Sequence, residues 1–162
     1  MSSNENKDYE TMPITFDKKL GLPLWKDVRT LPIKYTIAIS KIREFFDGLE
    51  EGRILATRCK HCGKLYFPPQ ADCPNCRKED MEWVELSGEA ELETYTIIKA
   101  KPKTFAHYED YVLAIGKLKE GIKVLAWLRI KDQKEIRVSM KMRLVVTKRM
   151  PEGYLTYEFV PA

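Results

Sequence analysis

Four cysteines in two close pairs are the residues of this sequence best suited to do chemistry. Two residues separate Cys59 from Cys62 and Cys73 from Cys76, and ten residues lie between the pairs. A two-residue gap lets both sulfurs of a pair reach one ion, and two pairs supply the four soft ligands of a tetrahedral site. Gly63 after the first pair suits the positive φ of a tight turn. The pattern therefore predicts one bound metal ion per chain.

The predicted ion is a structural zinc. Cysteine fills all four positions, so no ligand position stays open for water, as a catalytic zinc would need. The segment has little apolar content, and metal binding is expected to supply on the order of 10 kcal/mol of its folding free energy. Iron is the chemical alternative, because the two cysteine pairs also resemble those of rubredoxins. His61 lies inside the first pair and is predicted to be an exposed residue, not a ligand.

One helix is predicted just before the cysteines. Its apolar face holds Ile42, Phe45, Phe46 and Leu49, spaced at i, i+3, i+4 and i+7. Ser40 is the expected N-cap and Gly52 the expected stop, which gives a helix over 41–51. A helix of three turns is marginal alone, so both phenylalanines are expected to bury against another surface.

After residue 81 the sequence predicts strands only. Candidate strands lie over 89–99 and 111–119, and alternating apolar residues mark three more over 122–130, 142–146 and 155–159. Five strands with one long loop after the first favour a five-stranded OB-fold barrel, although a small sandwich has the same alternation. The chain is therefore mainly β. The predicted parts are a flexible or extended arm (1–35), a helix (36–52), a zinc ribbon (53–82) and a barrel (83–162).

Composition narrows the class of protein. Of 162 residues, 44% are hydrophobic and 32% charged, with a net charge of +4, which is ordinary for a globular chain and too small to imply a nucleic-acid partner. No apolar stretch is long enough to span a membrane, and the first residues do not form a signal peptide. A cytoplasmic location is expected. An acidic run over 79–93 also argues against nucleic acid.

Catalysis is not predicted. The sequence has no Gly-rich phosphate loop, no GxSxG and no HExxH. With only two histidines, the sequence has few side chains that could exchange a proton with a substrate near neutral pH. His107 is expected to be a surface residue of a loop. All four cysteines are committed to metal, so no thiol nucleophile remains.

These motifs together resemble the acyl-CoA-associated family that joins a rubredoxin-like zinc ribbon to an OB-fold, formerly a domain of unknown function. The similar segments follow in order at compatible spacings: 45–55, 58–63, 66–76, 83–92, Tyr95, Thr96, 118–121 and 138–143. The resemblance spans roughly 33–161. Ala90 and Ser139 stand where the family often has glycine.

The resemblance implies a function as well as a fold. Members look like non-catalytic companions of thiolase-type enzymes that help bind or pass on CoA thioesters. In some pathways they resemble the bridge between an acetoacetyl-CoA thiolase and an HMG-CoA synthase. The residues are compatible with this, because CoA phosphates need Lys or Arg. The candidate CoA contacts lie in the first long loop and beside it: Lys99, Lys101, Lys103, Phe105, Tyr108 and Tyr111.

Two alternatives from other classes remain. Zinc ribbons and OB-folds also bind single-stranded nucleic acid, and the aromatic and lysine residues of 95–111 could stack on bases and neutralise phosphates. A rubredoxin-like iron electron carrier is the other alternative. The acyl group, the enzyme partner and the oligomeric state are not predictable from the sequence.

Overall fold

The computed structural model describes residues 13–26 and 36–162. Contacts divide the chain into two compact units, 1–38 and 39–162. The first unit holds two short antiparallel strands, β1 (Ile14–Phe16) and β2 (Pro23–Trp25), where the sequence predicted an extended arm. The signal that was missed is Asp17, whose carboxylate accepts hydrogen bonds from the N–H groups of Lys19 and Leu20 and folds the turn. The rest of the predicted arm lies outside the described residues.

The helix is shorter than predicted. A single 3-10 turn (Ser40–Ile42) leads into α1 (Arg43–Glu50), and the side chain of Ser40 caps neither, so the predicted N-cap is wrong. Gly52 ends the helix as expected. Its φ is +78°, its N–H donates to Leu49 and the N–H of Arg53 donates to Gly48, which is a Schellman arrangement.

The ribbon that follows is a three-stranded antiparallel sheet. Its strands are β3 (Leu55–Cys59), β4 (Leu65–Tyr66) and β5 (Met81–Glu85), in the order β4-β3-β5. β3 is the buried central strand. The hydroxyl of its Thr57 exchanges hydrogen bonds with the backbone N–H and C=O of Gln70 at 2.8 and 3.1 Å, which ties the loop before Cys73 to the sheet.

Five strands close the predicted barrel: β6 (Glu89–Ile98), β7 (Tyr111–Leu118), β8 (Lys123–Leu128), β9 (Lys141–Arg149) and β10 (Tyr154–Pro161). Around the barrel they run β10-β8-β7-β6-β9, and β8 and β10 are parallel while the other pairs are antiparallel. Both features are those of an OB-fold, which confirms the predicted fold class.

The interior of the barrel follows the predicted alternation, with one exception. Val124, Ala126 and Leu128 are buried on β8. On β10, Phe159 is fully buried but Leu155 is 40% exposed. The reason is that β10 pairs with β8 only at Glu158 and Phe159, so the first half of β10 lacks a neighbour on that side.

One continuous core joins helix, ribbon and barrel. Phe45 from α1, Phe67 from the ribbon and Tyr157 from β10 meet edge to face, with ring centroids 4.9–6.4 Å apart. Phe46 was predicted to be buried but is 40% exposed, because the narrow buried stripe of so short a helix is already filled by Phe45, Gly48 and Leu49. Whether ribbon and barrel are separate domains stays a prediction.

The acidic run over 79–93 does not form a one-signed surface. Its carboxylates pair with lysines of other strands, for example Glu91 with Lys141 and Glu93 with Lys123, each at 2.7 Å. Glu89 and Asp80 have lysine partners as well. The acidic run therefore neither favours nor opposes binding of nucleic acid.

Candidate metal centre and the cleft on the barrel

The four cysteine sulfurs converge as the spacing predicted. All four Sγ atoms lie within 4.8 Å of one another, and the pairs Cys59–Cys76 and Cys62–Cys73 are 3.5 Å apart. In a tetrahedral site with Zn–S bonds of about 2.3 Å, the sulfurs are about 3.8 Å apart. The donor set therefore fits a single thiolate-bound ion. His61 is exposed and is not part of this group.

Two matching turns hold these sulfurs, and we call them the first knuckle (59–64) and the second knuckle (73–78). In the first, the N–H of Gly63 donates to the C=O of Cys59 and the N–H of Cys59 to the C=O of Lys64. In the second, Arg77, Cys73 and Lys78 repeat both bonds at the same lengths, 2.8 and 2.9 Å. The repeat places two thiolates from each knuckle around one point.

The surroundings of Cys73 favour its thiolate. Burial alone would raise the pKa of this thiol, but hydrogen bonds from the Tyr66 hydroxyl and from the N–H groups of Cys76 and Asn75 lower the pKa to about 6. The Tyr66 oxygen lies 3.2 Å from Cys73 Sγ. Tyr66 was not predicted to take part in the site, because only the pairing of β4 with β3 brings it across the ribbon.

The predicted CoA-binding lysines are not equivalent in the structure. Lys99 and Lys103 are exposed on the loop between β6 and β7. The side chain of Lys101 is 14% exposed and is held by Asp110 at 2.7 Å. Lys101 therefore fastens the loop through its ion pair with Asp110.

The aromatic residues of the predicted set gather beside a cleft of about 460 Å³ on the outer face of the barrel, which we call the Trp127 cleft. Tyr111 stacks on Trp127 at 4.1 Å and 9°, and Tyr108 meets the indole at 5.1 Å and 78°. Phe105 contacts both tyrosines but does not line the cleft. None of the three predicted lysines lines it either.

A buried ion pair forms one wall of the Trp127 cleft. Arg149 and Glu158 are 9% and 7% exposed and lie 3.0 Å apart, and Arg129 lies 3.4 Å from the same carboxylate. The guanidinium carbon of Arg149 is 3.6 Å from the centre of the Trp127 ring. A phenol ring at 4.1 Å and a guanidinium at 3.6 Å cannot share one face, so they cover opposite faces of the indole.

Hydrogen bonds fix the loop that carries Tyr108. The Tyr108 hydroxyl donates to Glu152 in the turn between β9 and β10, and His107 Nε2 lies 3.1 Å from the other oxygen of that carboxylate. Burial and the Glu152 charge raise the pKa of Tyr108 to about 12, while the bond from Tyr108 lowers the pKa of Glu152. His107 is a surface residue that holds a loop, as expected.

Comparison with known proteins gives the family. A profile described as the ChsH2 rubredoxin-like zinc ribbon domain matches residues 46–82, and one described as the ChsH2 C-terminal OB-fold domain matches 83–147. A DUF35 domain-containing scaffold protein of Methanocaldococcus jannaschii is 31% identical over 110 residues, 65% of this chain and 78% of that protein. One of Pyrococcus furiosus is 34% identical over 99 residues, 61% of this chain and 72% of that protein.

The chain belongs to the DUF35 family. Among solved structures, the Ltp2-ChsH2(DUF35) aldolase matches with a TM-score of 0.65 and 26% identity, over 79% of this chain and 98% of that chain. A DUF35 protein of unknown function from Sulfolobus solfataricus has a TM-score of 0.55 at 20% identity, over 76% and 86% of the two chains, and shows the fold alone.

The wall of the DUF35 barrel also holds residues that the sequence did not single out. Trp127, Arg149 and Glu158 come from three strands, β8, β9 and β10. Each stands at an outward position of its strand, where charged residues are ordinary, so the sequence alone gives no signal. Only closure of the barrel brings the three together.

Proposed function

We propose that this protein is a non-catalytic scaffold that binds a thiolase-type enzyme, such as an acetoacetyl-CoA thiolase or an HMG-CoA synthase, and helps it bind or pass on CoA thioesters. One observation carries the proposal. The chain covers 98% of the matching chain of the Ltp2-ChsH2(DUF35) aldolase, and the relatives from Methanocaldococcus jannaschii and Pyrococcus furiosus are named scaffold proteins. A fold shared over nearly the whole of that chain supports a shared role in holding an enzyme.

The chemistry of the described residues supports a scaffold role. The four thiolates fill a tetrahedral set, which leaves no position for a reactive water. His107 is engaged by Glu152, and among the described residues no serine, cysteine or lysine makes a hydrogen bond to it as a nucleophile would. These features suit a protein that positions other molecules.

We propose zinc as the bound ion. The family profile for 46–82 describes a rubredoxin-like zinc ribbon, and four thiolates suit zinc. Iron binds the same donor set, so the electron-carrier alternative stays open to a direct test of metal content and colour. Bound zinc would hold the two knuckles together and would take no part in a reaction.

For the CoA thioester, we propose contact with the loop between β6 and β7. Lys99 and Lys103 are exposed there and can meet phosphates, while the Lys101–Asp110 pair keeps the loop in place. Phe105, Tyr108 and Tyr111 stand next to that loop as apolar neighbours. The ligand would lie between this face and the enzyme partner.

The direct experiment is reconstitution. The zinc-loaded protein is mixed with each thiolase-type and HMG-CoA synthase-type enzyme of the same cell, and complexes are detected by size-exclusion chromatography with light scattering. We expect a stable complex with at least one of them, and no thiolase activity from the protein alone. Failure to bind every such enzyme would overturn the scaffold proposal, and turnover by the isolated protein would overturn the non-catalytic part.

A further inference from the structure

We propose that the Trp127 cleft is a binding site for a nucleotide, meaning a flat heterocycle joined to a phosphate. The nucleotide could be free or could be the adenosine end of CoA, and only the second case rests on the proposed function. The cleft lies where the outer faces of β7 and β8 meet the loop between β6 and β7 and the turn between β9 and β10. OB-folds generally bind their ligands at this position, the face of the second and third strands with its two flanking loops.

The aromatic side chains form a fixed wall for a flat ring. Trp127 is held between Tyr111 and Arg149, and Tyr108 is held against its edge and by Glu152. These contacts immobilise the three rings before any ligand arrives, which lowers the entropy cost of binding. Because both faces of Trp127 are covered, the ligand ring must stack on the tyrosines, and both of them line the cleft.

The buried arginine adds a fixed positive charge to the cleft wall. Arg149 is nine-tenths buried, and Glu158 and the face of Trp127 hold its guanidinium in place. Its Nε has no hydrogen-bond partner among the described residues, but that atom is enclosed by protein. A ligand in the cleft would therefore meet the charge of Arg149 and not this nitrogen.

The charge of the cleft suits a phosphate at its rim. Arg129, Lys148 and Arg149 line it, and Lys148 makes no ion pair within the described part of the chain. Of the three lining acids, Glu158 is held by two arginines and Asp110 by Lys101, which leaves Glu109. An anion at Lys148 would therefore meet a cation whose charge is not already offset.

The size of the cleft favours one nucleotide over a strand. Its volume of about 460 Å³ lies in the lower half of the range for small-molecule sites, about 300–1,000 Å³. Single-stranded nucleic acid needs successive exposed rings along a groove, and the central ring here is covered on both faces.

The test is calorimetric titration of the full zinc-loaded chain with adenosine 3′,5′-bisphosphate, AMP, CoA, pantetheine and a short single-stranded oligonucleotide. We expect adenosine 3′,5′-bisphosphate and CoA to bind with similar affinity and pantetheine not to bind. Equal binding of AMP would identify a free nucleotide as the source, and a requirement for the 3′-phosphate would identify CoA. No binding of adenosine 3′,5′-bisphosphate, or tighter binding of pantetheine or the oligonucleotide, would overturn the proposal.

Two variants locate the site. Lys148→Glu reverses an exposed rim charge and should weaken binding by about tenfold, the value of one charged contact. Lys117→Glu, at an exposed lysine near the end of β7 that also makes no ion pair among the described residues, is the matched control and should change nothing. Tyr108→Ala removes one ring of the aromatic wall and should also weaken binding. Its metal content, measured on the same sample, checks that the variant is folded. Unchanged affinity in both Lys148→Glu and Tyr108→Ala would overturn the site. Complex formation with the enzyme partner, measured on the same samples, reports separately on the scaffold proposal.

Discussion

Gly63 and Arg77 occupy equivalent positions in the two knuckles, with φ values of +72° and +57°. Glycine adopts this left-handed conformation freely, whereas a residue with a Cβ is strained there by about 1–2 kcal/mol. We therefore expect Arg77→Gly to raise the free energy of unfolding of the metal-loaded protein by about 1 kcal/mol. Thermal melting measures it, and Gly63→Ala, which adds the same strain, should lower the melting temperature. A lower melting temperature for Arg77→Gly would contradict the strain.

The cysteines allow a second test on single residues. Cys73→Ser removes a buried thiolate, so we expect loss of the ion and of the folding free energy that it supplies, on the order of 10 kcal/mol for the ribbon. Elemental analysis should find about one zinc per chain in the unaltered protein and much less in the variant. His61→Ala is the control and should keep its metal. Full metal in Cys73→Ser would remove this residue from the ligand set, and stoichiometric iron in the unaltered protein would replace zinc.

The sequence predicts the place of some functional residues and not of others. The convergence of the four cysteines was predictable because all four lie in two short local motifs, whose geometry depends on a few neighbouring backbone bonds. Trp127, Arg149 and Glu158 were not, because they meet only after three strands pair across the barrel. Lys101 shows the intermediate case. Its place in the loop was predicted, but its pairing with Asp110, nine residues away, depends on the path of that loop.

At the scale of elements, alternation predicted the barrel strands well and the helix less well. A strand period of two shows over as few as four or five residues, and every predicted barrel strand is present. The helical pattern assigned Phe45 and Phe46 to one buried face, but the observed face is narrower. The short hairpin of β1 and β2 has too few residues for any period to show, and only the turn chemistry of Asp17 marks it.

The two phenylalanines of α1 form a matched pair for experiment. Phe45 is 7% exposed and contacts Phe67 and Tyr157, so Phe45→Ala should lower the free energy of unfolding by about 3 kcal/mol or more. Phe46→Ala removes a similar ring from an exposed position and should cost well under half of that. Urea unfolding of both variants decides the matter. If Phe46→Ala keeps its stability but loses the enzyme partner, α1 belongs to the interface, and equal losses of stability would contradict the described packing.

At the larger scale, the helix, the ribbon and the barrel of 39–162 form one compact unit. Helix, ribbon and barrel share a single core, so the metal centre and the Trp127 cleft cannot move independently as two loosely tethered domains would. Metal removal is therefore expected to loosen the junction of Phe45, Phe67 and Tyr157 as well as the ribbon. A single cooperative melting transition on chelation would support this, and two separate transitions would contradict it.

The last prediction concerns the assembled complex and the loop between β6 and β7. The double variant Lys99→Glu/Lys103→Glu reverses two exposed charges and leaves the Lys101–Asp110 pair intact, so folding should be unaffected because exposed charges contribute little to stability. If the loop faces CoA phosphates, the affinity of the variant complex for CoA should fall by about tenfold or more, since the loss of one charged contact lowers an affinity by at least about tenfold.

Lys117→Glu/Lys119→Glu is the control for that measurement, because it makes the same change in net charge at exposed positions away from the loop. Long-range repulsion of an anionic ligand would weaken both variants alike, and that effect would fade as salt screens it. A direct contact weakens only the loop variant and does so at every salt concentration at which the complex holds. Calorimetric titration of CoA into complexes built with each variant distinguishes the two. Equal affinities for the loop variant and the unaltered protein would remove Lys99 and Lys103 from the CoA site, while leaving the scaffold role to be judged by complex formation.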